Sequence, residues 1–344
     1  MKGNTISYYL PKFFDMELRK NANVSENTII SYKYAFVSLL QFVNDKYKKE
    51  ISTLELKDLN KETIEKYLEY LEKEKNNSIS TVNQRLAAIK SFFNYLTIED
   101  IEYISLCNEI HSIKIKKKKQ ETIKYLSKEG IKEILSLPKT SIENGVRDLA
   151  ILTLLYDSGA RVQELVNIKT KDIDFNKKTV YLFGKGRKAR IVPLISQTIK
   201  ILEKYIKIYN IPINSDNLLF YNSQKEALTR MGITYIIKKY VSIARNKNPL
   251  EFQINVTPHT FRHSKAMHLL ESGVNLIYIR DFLGHESVIT TEIYARANPE
   301  NKRKAIEKHS EELSKMVRYS SKEKNDLLNW LNVYDILKLT PNYN

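Results

Sequence analysis

Glycine is the feature that most limits what this chain can build. There are nine in 344 residues, where average usage is roughly 7%. Eight of them lie between Gly130 and Gly284, and only Gly3 precedes them. A long segment without glycine has few places for positive φ, so the first third reads as helices with short links. Ser25 is a candidate N-cap for a segment carrying Ile29, Phe36, Leu40 and Val43 at helical spacing. Asn60 stands before Ile64, Tyr67, Leu68 and Leu71, and Ser80 before Val82, Leu86, Ile89, Phe93 and Leu96. An earlier helix falls between Ile6 and Lys20, with Pro11 near its first turn or breaking it. Four such helices predict a small bundle over residues 1–112.

The stretch SIKIKKKKQETIKYL follows. Its lysines, Lys114 and Lys116 to Lys119, repel one another and have no apolar face to bury. Residues 113–125 therefore read as a basic interdomain linker, able to lie in solvent or along phosphates. From residue 126 to about 310 helical patterns dominate: Lys128 to Leu137, Gly145 to Tyr156, Gln197 to Tyr209, Arg230 to Ala244 and Pro258 to Glu271. One region breaks that period. Thr179–Phe183 and Ala189–Leu194 are β-rich runs separated by GKGRK, a hairpin with a glycine-containing loop. The expected fold is mainly α, an N-terminal bundle followed by a mostly helical domain with a small antiparallel sheet.

Charge narrows the partner. Lys and Arg number 56 against 40 Asp and Glu, a formal charge of +16, which suits a polyanion and most simply nucleic acid. A lysine-rich genome composition is the alternative source of that charge. The single Cys107 excludes an intramolecular disulfide framework and any multi-cysteine zinc site. No run approaches 18 apolar residues, and the first residues lack an apolar signal region. The expectation is a cytoplasmic, nucleoid-associated protein that needs no membrane.

Four short pieces could carry chemistry. In TPHTFRHSKAMHLLESG, Thr257 and Pro258 suit a helix start, and His259 and Arg262 share one face of its first turns. A helix N-terminus with a guanidinium suits phosphate. In NLIYIRDFLGHESVITTEIYAR, Gly284 ends one helix, His285 follows, and Ser287 can cap the helix that carries Tyr294. In LAILTLLYDSGARVQELVNI, an apolar helix stops at Gly159, Arg161 opens the next helix and Glu164 sits one turn on. Lys185 lies between two glycines in the hairpin loop, with Lys188 and Arg190 as competitors.

Taken together, A-R-x-x-E-L at Ala160–Leu165, G-K-G-x-K-x-R-x-V-P-L at Gly184–Leu194, H-T-F-R-H at His259–His263, L-G-H-x-S at Leu283–Ser287 and T-x-x-Y at Thr291–Tyr294 resemble the tyrosine recombinase family of phage integrases, Xer recombinases and transposon integrases. Order and spacing agree: 24 residues from Arg161 to Lys185, 23 from Arg262 to His285 and 9 from His285 to Tyr294. The run from Ser78 is also similar to the last helices of that family's SAM-like core-binding domain.

The resemblance implies strand exchange through a covalent 3′-phosphotyrosyl intermediate, with 126–310 as catalytic domain. Tyr294 would be nucleophile, Arg161 and Arg262 phosphate ligands, Lys185 the general acid, and His259 and His285 donors to the phosphate or helpers at Tyr294. Glu164 would orient Arg161 or His259. No metal or other cofactor is expected, in keeping with the absence of a carboxylate cluster or a GxxxxGK[ST] loop. His263 is expected to pack or to fix a tautomer, and His268 and His309 to be ordinary helix residues.

Double-stranded DNA is the expected partner. Thr81, Asn83, Arg85 and Lys90 avoid the apolar stripe of their helix and are candidate groove contacts. Lys116, Lys117 and Lys118 of the linker, with Lys188 and Arg230, are candidate phosphate neighbours. The tail, 311–344, would dock on a neighbouring subunit in a homo-tetramer on two DNA sites, or pack on its own domain; the free protein would be a monomer or dimer. Two other readings share these motifs: a type IB topoisomerase-like relaxing enzyme and a recombinase-derived DNA-binding protein without catalysis. The target sequence, and whether the role is chromosome-dimer resolution or mobile-element integration, are not legible in the residues.

Overall fold

The computed structural model describes residues 4–117, 122–184, 189–222, 224–285 and 287–297, with 303, 306 and 307. Lys118, Lys185, Lys188, His309 and the tail 311–344 lie outside the described residues. The chain divides into two compact units, Met1–Glu121 and Thr122–Asn344.

The first unit is a helical bundle: α1 (Ile6–Lys12), α2 (Glu26–Tyr47), α3 (Lys61–Lys73), α4 (Ile79–Glu99) and α5 (Ile104–Ser112). Pro11 sits inside α1, and the chain passes directly into a π-helical segment, Phe13–Asn21. Proline lacks the N–H for an i→i−4 bond and crowds the carbonyl one turn back, so a looser winding at this point has a local cause. Ser25 and Asn60 cap α2 and α3 by accepting from the amides of Thr28 and Thr63. For α4 the cap is Ser78, whose hydroxyl accepts from Thr81 N, rather than Ser80, which lies inside the helix. Both serines precede the apolar stripe, and the first one reaches the third amide.

The helix α5 lies beyond the four expected. Cys107 and Ile110 fix it to the bundle, and both are fully buried. Apolar burial pushes the Cys107 thiol up to about 11, an inert structural setting. Phe13, Phe36, Phe92 and Phe93 pack edge to face at the centre of this core.

The second unit comprises α6 (Lys128–Ser136), α7 (Glu143–Ser158), α8 (Val162–Val166), the strands β1 (Ile173–Asp174), β2 (Thr179–Phe183) and β3 (Ala189–Pro193), then α9 (Ser196–Ile208), α10 (Arg230–Lys247), α11 (Pro258–Glu271), α12 (Leu276–Leu283) and α13 (Val288–Ala297). The sheet is antiparallel in the order β1-β2-β3, with Val180 opposite Val192. Strand β1 has two residues, too few for an alternation to show in sequence. Helix α7 is buried on nearly every face, as expected of a helix apolar all round. It is the post against which α9 and α11 lean. Lys265 of α11 reaches Asp157 of α7 at 3.0 Å, and the same carboxylate accepts from Ile195 N and Thr198 Oγ1 at the start of α9.

His268 is not the ordinary helix residue its sequence context suggests. It is buried, with Nε2 3.0 Å from the Leu126 carbonyl and Nδ1 2.9 Å from the Tyr156 hydroxyl. A carbonyl only accepts, so Nε2 carries the proton and Tyr156 donates to Nδ1. Among the described residues, no helix is long and apolar enough to cross a membrane.

Candidate active site

The site gathers where α7, α11 and α12 end or begin. Helix α7 stops at Gly159, whose φ of +57° is left-handed. A side chain there would press on Phe282, 2.9 Å from the added carbon, so glycine serves both backbone and packing. Two residues on, Arg161 stands at the N-cap of α8. Glu164, at the third position, accepts from the Arg161 amide at 2.9 Å and from its Nη1 at 2.8 Å. One carboxylate thus caps the helix and aims the arginine.

The same carboxylate holds a second arginine. Arg190 of β3 donates to Glu164 from Nη1 at 3.1 Å and Nη2 at 2.8 Å. Sequence reasoning treated Arg190 as a competitor of Lys185 and missed this role. The signal was present: Arg190 and Val192 are two apart on a strand and share a face, and Val192 is fully buried.

Helix α11 supplies the third. Thr257 caps it and Pro258 occupies its first turn. Arg262 is only 3% exposed. It donates to the Gly159 carbonyl at 2.7 Å and to the Leu283 carbonyl at 2.6 Å.

These three arginines close the end of α12. Arg190 Nε donates to the Phe282 carbonyl at 2.8 Å, Arg262 to Leu283 and Arg161 to Gly284 at 3.2 Å. Three consecutive carbonyls at the negative end of a helix therefore each meet a different guanidinium. The backbone then turns through Gly284 (φ +64°), and His285 N donates back to the Arg280 carbonyl, a Schellman-type stop.

His285 leaves this turn with Nδ1 2.9 Å from Thr291 Oγ1. Thr291 and Tyr294 are one turn apart on α13 and both are buried, Tyr294 to 1% exposure. The Tyr294 hydroxyl is 2.9 Å from His263 Nδ1. The rings of His285 and Tyr294 are parallel, with centroids 6.4 Å apart.

Burial and charge tune these groups. Burial pushes the Tyr294 phenol up to about 12, although the Arg262 and Arg161 charges pull the other way. Burial, with Arg262, Arg161 and Arg190, pushes His285 down to about 4. Burial, with His259 and Arg262, does the same to His263. His259, much of whose surface is open to solvent, is lowered by the partial burial of its ring and by Arg262 and Arg161. Burial works against the Glu164 anion, but its bonds to Arg190 and Arg161 hold it below the usual carboxylate range.

Of the expected catalytic residues, the structure brings Arg161, Arg262, His285 and Tyr294 together with Glu164, and His259 lies at the edge of the same cluster. Glu164 bonds Arg161 and Arg190, with no hydrogen bond to His259 among the described residues. Lys185 is outside the described residues.

The DNA-contact expectations for the first unit meet a different geometry. The Asn83 amide exchanges two hydrogen bonds with the Lys116 backbone, at 2.8 and 3.0 Å. Arg85 donates to the Ser31 carbonyl at 3.0 Å, and Lys90 donates to the carbonyls of His111 and Ile113 at the end of α5. Thr81 belongs to the cap of α4, and Lys116 pairs with Glu72. Each of these polar groups therefore has a partner within its own unit. Lys117 and Arg230 are exposed.

An antiparallel sheet on a helical core, with three guanidiniums at the end of one helix and a buried tyrosine on the next, defines a class that sequence comparison identifies directly. Residues 124–301 match the phage integrase family, and residues 13–102 match the phage integrase N-terminal SAM-like domain. The chain belongs to this family, the tyrosine recombinases. The tyrosine recombinase XerD of Oceanobacillus iheyensis is 34% identical over 295 residues, 84% of this chain and 93% of that one. An integrase/recombinase-type protein of Sinorhizobium fredii, y4rC, is 32% identical over 333 residues, 96% and 99% of the two chains. Among solved structures, a XerH site-specific recombinase bound to its difH substrate shares the fold, with a TM-score of 0.61 at 22% identity over 81% of this chain and 79% of that one.

Proposed function

We propose that this tyrosine recombinase cuts and rejoins double-stranded DNA through a covalent 3′-phosphotyrosyl bond at Tyr294, working as a tetramer on two DNA sites. The observation that carries this reading is the charge of the cluster. Arg161 and Arg190 share one carboxylate, Glu164, and Arg262 is held by the carbonyls of Gly159 and Leu283, so three cations face one anion and a further anion is called for beside Tyr294. A scissile phosphodiester is such an anion, and its charge grows as the phenol oxygen attacks. Cations fixed in advance by Glu164 and by helix carbonyls favour that state over the ground state.

Arg161 and Arg262 would hold the non-bridging oxygens. Lys185 would protonate the departing 5′ oxygen. His259 and His285 would donate to the phosphate; with Nδ1 of His285 on Thr291, its Nε2 is the nitrogen left for that task. The bond to Tyr294 conserves the energy of the broken phosphodiester, so a 5′ hydroxyl can reverse it. Exposed Lys117 and Arg230, with Lys118 and Lys188, would lie along phosphates, and the tail would dock on a neighbouring subunit.

A pool of randomised duplexes, each with a nick beside a central position, tests this. Cleavage releases the short strand and traps the protein on DNA. The expected result is a denaturant-resistant adduct with a recoverable consensus sequence, absent with Tyr294→Phe. No adduct from any duplex would overturn the reading. Relaxation of a supercoiled plasmid without exchange between two recovered sites would point to a topoisomerase-like activity instead.

A further inference from the structure

His263 occupies a place at the nucleophile that no expected role accounts for. Its Nδ1 is 2.9 Å from the Tyr294 hydroxyl, within reach for a proton transfer. The other histidines are placed differently. His285 spends Nδ1 on Thr291 and lays its ring parallel to that of Tyr294, a stacked arrangement in which the hydroxyl, lying in the plane of its own ring, is not addressed. His259 is exposed, one turn before His263 on α11 with ring centroids 6.4 Å apart.

We propose that His263 Nδ1 is the base that takes the phenolic proton of Tyr294 as its oxygen attacks phosphorus. The inference rests on the strand-cutting reading above. The step balances as follows in atoms and electrons. The Tyr294 O–H bond breaks and its proton goes to Nδ1. The freed electron pair forms the oxygen–phosphorus bond. The bond from phosphorus to the 5′ oxygen breaks, and that oxygen leaves as a hydroxyl on taking a proton from the general acid. In rejoining, the proton returns from Nδ1 to the departing phenol oxygen.

Two further observations support the assignment. His263 follows Arg262, whose guanidinium is fixed by the carbonyls of Gly159 and Leu283. Base and phosphate ligand therefore sit on one rigid helix, as positioning demands. Burial and the nearby His259 and Arg262 also keep the imidazole neutral, and in the tautomer with the ring proton on Nε2, which the proposal requires, Nδ1 offers its lone pair to the Tyr294 hydroxyl. The proton does not move before the substrate arrives, because the buried phenol holds it too tightly. An incoming phosphodiester between Arg161 and Arg262 offsets the cations that disfavour imidazolium, so transfer is coupled to attack.

The test uses the full-length protein and the duplex recovered from the randomised pool, made with an ordinary scissile phosphate and with a 5′-bridging phosphorothiolate. A thiolate leaves without a proton, so the second duplex bypasses the general acid. Single-turnover adduct formation is timed for wild type, His263→Asn, His263→Phe and Lys185→Ala. Asparagine can present an oxygen near the place of Nδ1 and hold the hydroxyl, but it cannot take the proton. Both His263 variants should slow adduct formation by about 100-fold or more on both duplexes, whereas Lys185→Ala should be slow only on the ordinary one. A His263→Asn protein within a few-fold of wild type would overturn the assignment and leave His263 as a positioning residue. Rates in both variants equal to or faster than wild type would also overturn it and make His263 a restraint on Tyr294. If His263→Phe fails to fold, the comparison with His263→Asn alone decides. Absence of any wild-type adduct would instead strike at the strand-cutting reading itself.

Discussion

Glu164 receives Arg190 through two parallel hydrogen bonds, 2.8 and 3.1 Å long, while also holding Arg161 at 2.8 Å. The carboxylate and Arg190 are both largely withdrawn from solvent, with side chains 4% and 10% exposed. Replacing it by Glu164→Gln leaves two guanidiniums facing an uncharged amide. Breaking a buried pair in this way costs about 3 kcal/mol. A urea-unfolding midpoint should fall accordingly, and adduct formation should slow because Arg161 loses its aim. An unchanged midpoint would mean the carboxylate is not the organiser of the cluster.

Gly284 is required twice. Its φ is +64°, and a β-carbon there would stand 3.0 Å from Arg190 Cδ and Nη1. Gly284→Ala should lose about 1–2 kcal/mol from backbone conformation alone. It should also slow adduct formation, because Arg190 and His285 flank the residue. Differential scanning calorimetry and single-turnover cleavage read the two effects separately.

Acid should loosen the second unit. His263 and His285 are each pushed down to about 4 in the folded protein, from an ordinary 6.5. Between those values the unfolded chain binds more protons than the folded one, so stability rises with pH there. Unfolding free energy should therefore be highest above about pH 6.5 and decline as pH falls toward 4. His285→Asn should flatten part of that slope in urea titrations at pH 7 and pH 5. A wild-type curve flat over this window would contradict the burial described for the two rings.

The lysines of the first unit should separate into two kinds. Lys90 holds the carbonyls of His111 and Ile113, so Lys90→Met should lower thermal stability and leave the salt dependence of DNA binding unchanged. Lys117 is exposed, and Lys117→Gln should reduce the slope of log affinity against log salt by about 1. The reverse pattern would return Lys90 to the DNA.

Removal of residues 320–344 tests tail docking. Single-site binding and adduct formation should persist, while assembly on two sites, followed by light scattering or native gels, should be lost. Unchanged assembly would remove the docking role.

Much of this was legible from one sequence. Helix starts at Ser25, Asn60 and Thr257 followed from side chains that reach a nearby amide, a local interaction. The left-handed stop at Gly284 and the strand Thr179–Phe183 followed from residue type. The helix α5 escaped because nine residues, four of them Asn, His or Ser, give little periodic signal. The groove role expected of Asn83, Arg85 and Lys90 rested on their avoiding the apolar stripe, a pattern that a side chain bonded to its own backbone produces equally well.

The sequence by itself determined which residues carry charge or a hydroxyl, and on which local turns they sit. Only the tertiary structure decided their partners. Arg190 and Glu164 are 26 positions apart, His263 and Tyr294 are 31 apart, and Arg262 and Gly159 are 103 apart. Spacing along a helix or strand fixes which face a residue shares, but nothing local sets the distance between two elements. That distance comes from packing around α7 and from the carbonyls at the end of α12, where three arginines from three elements converge.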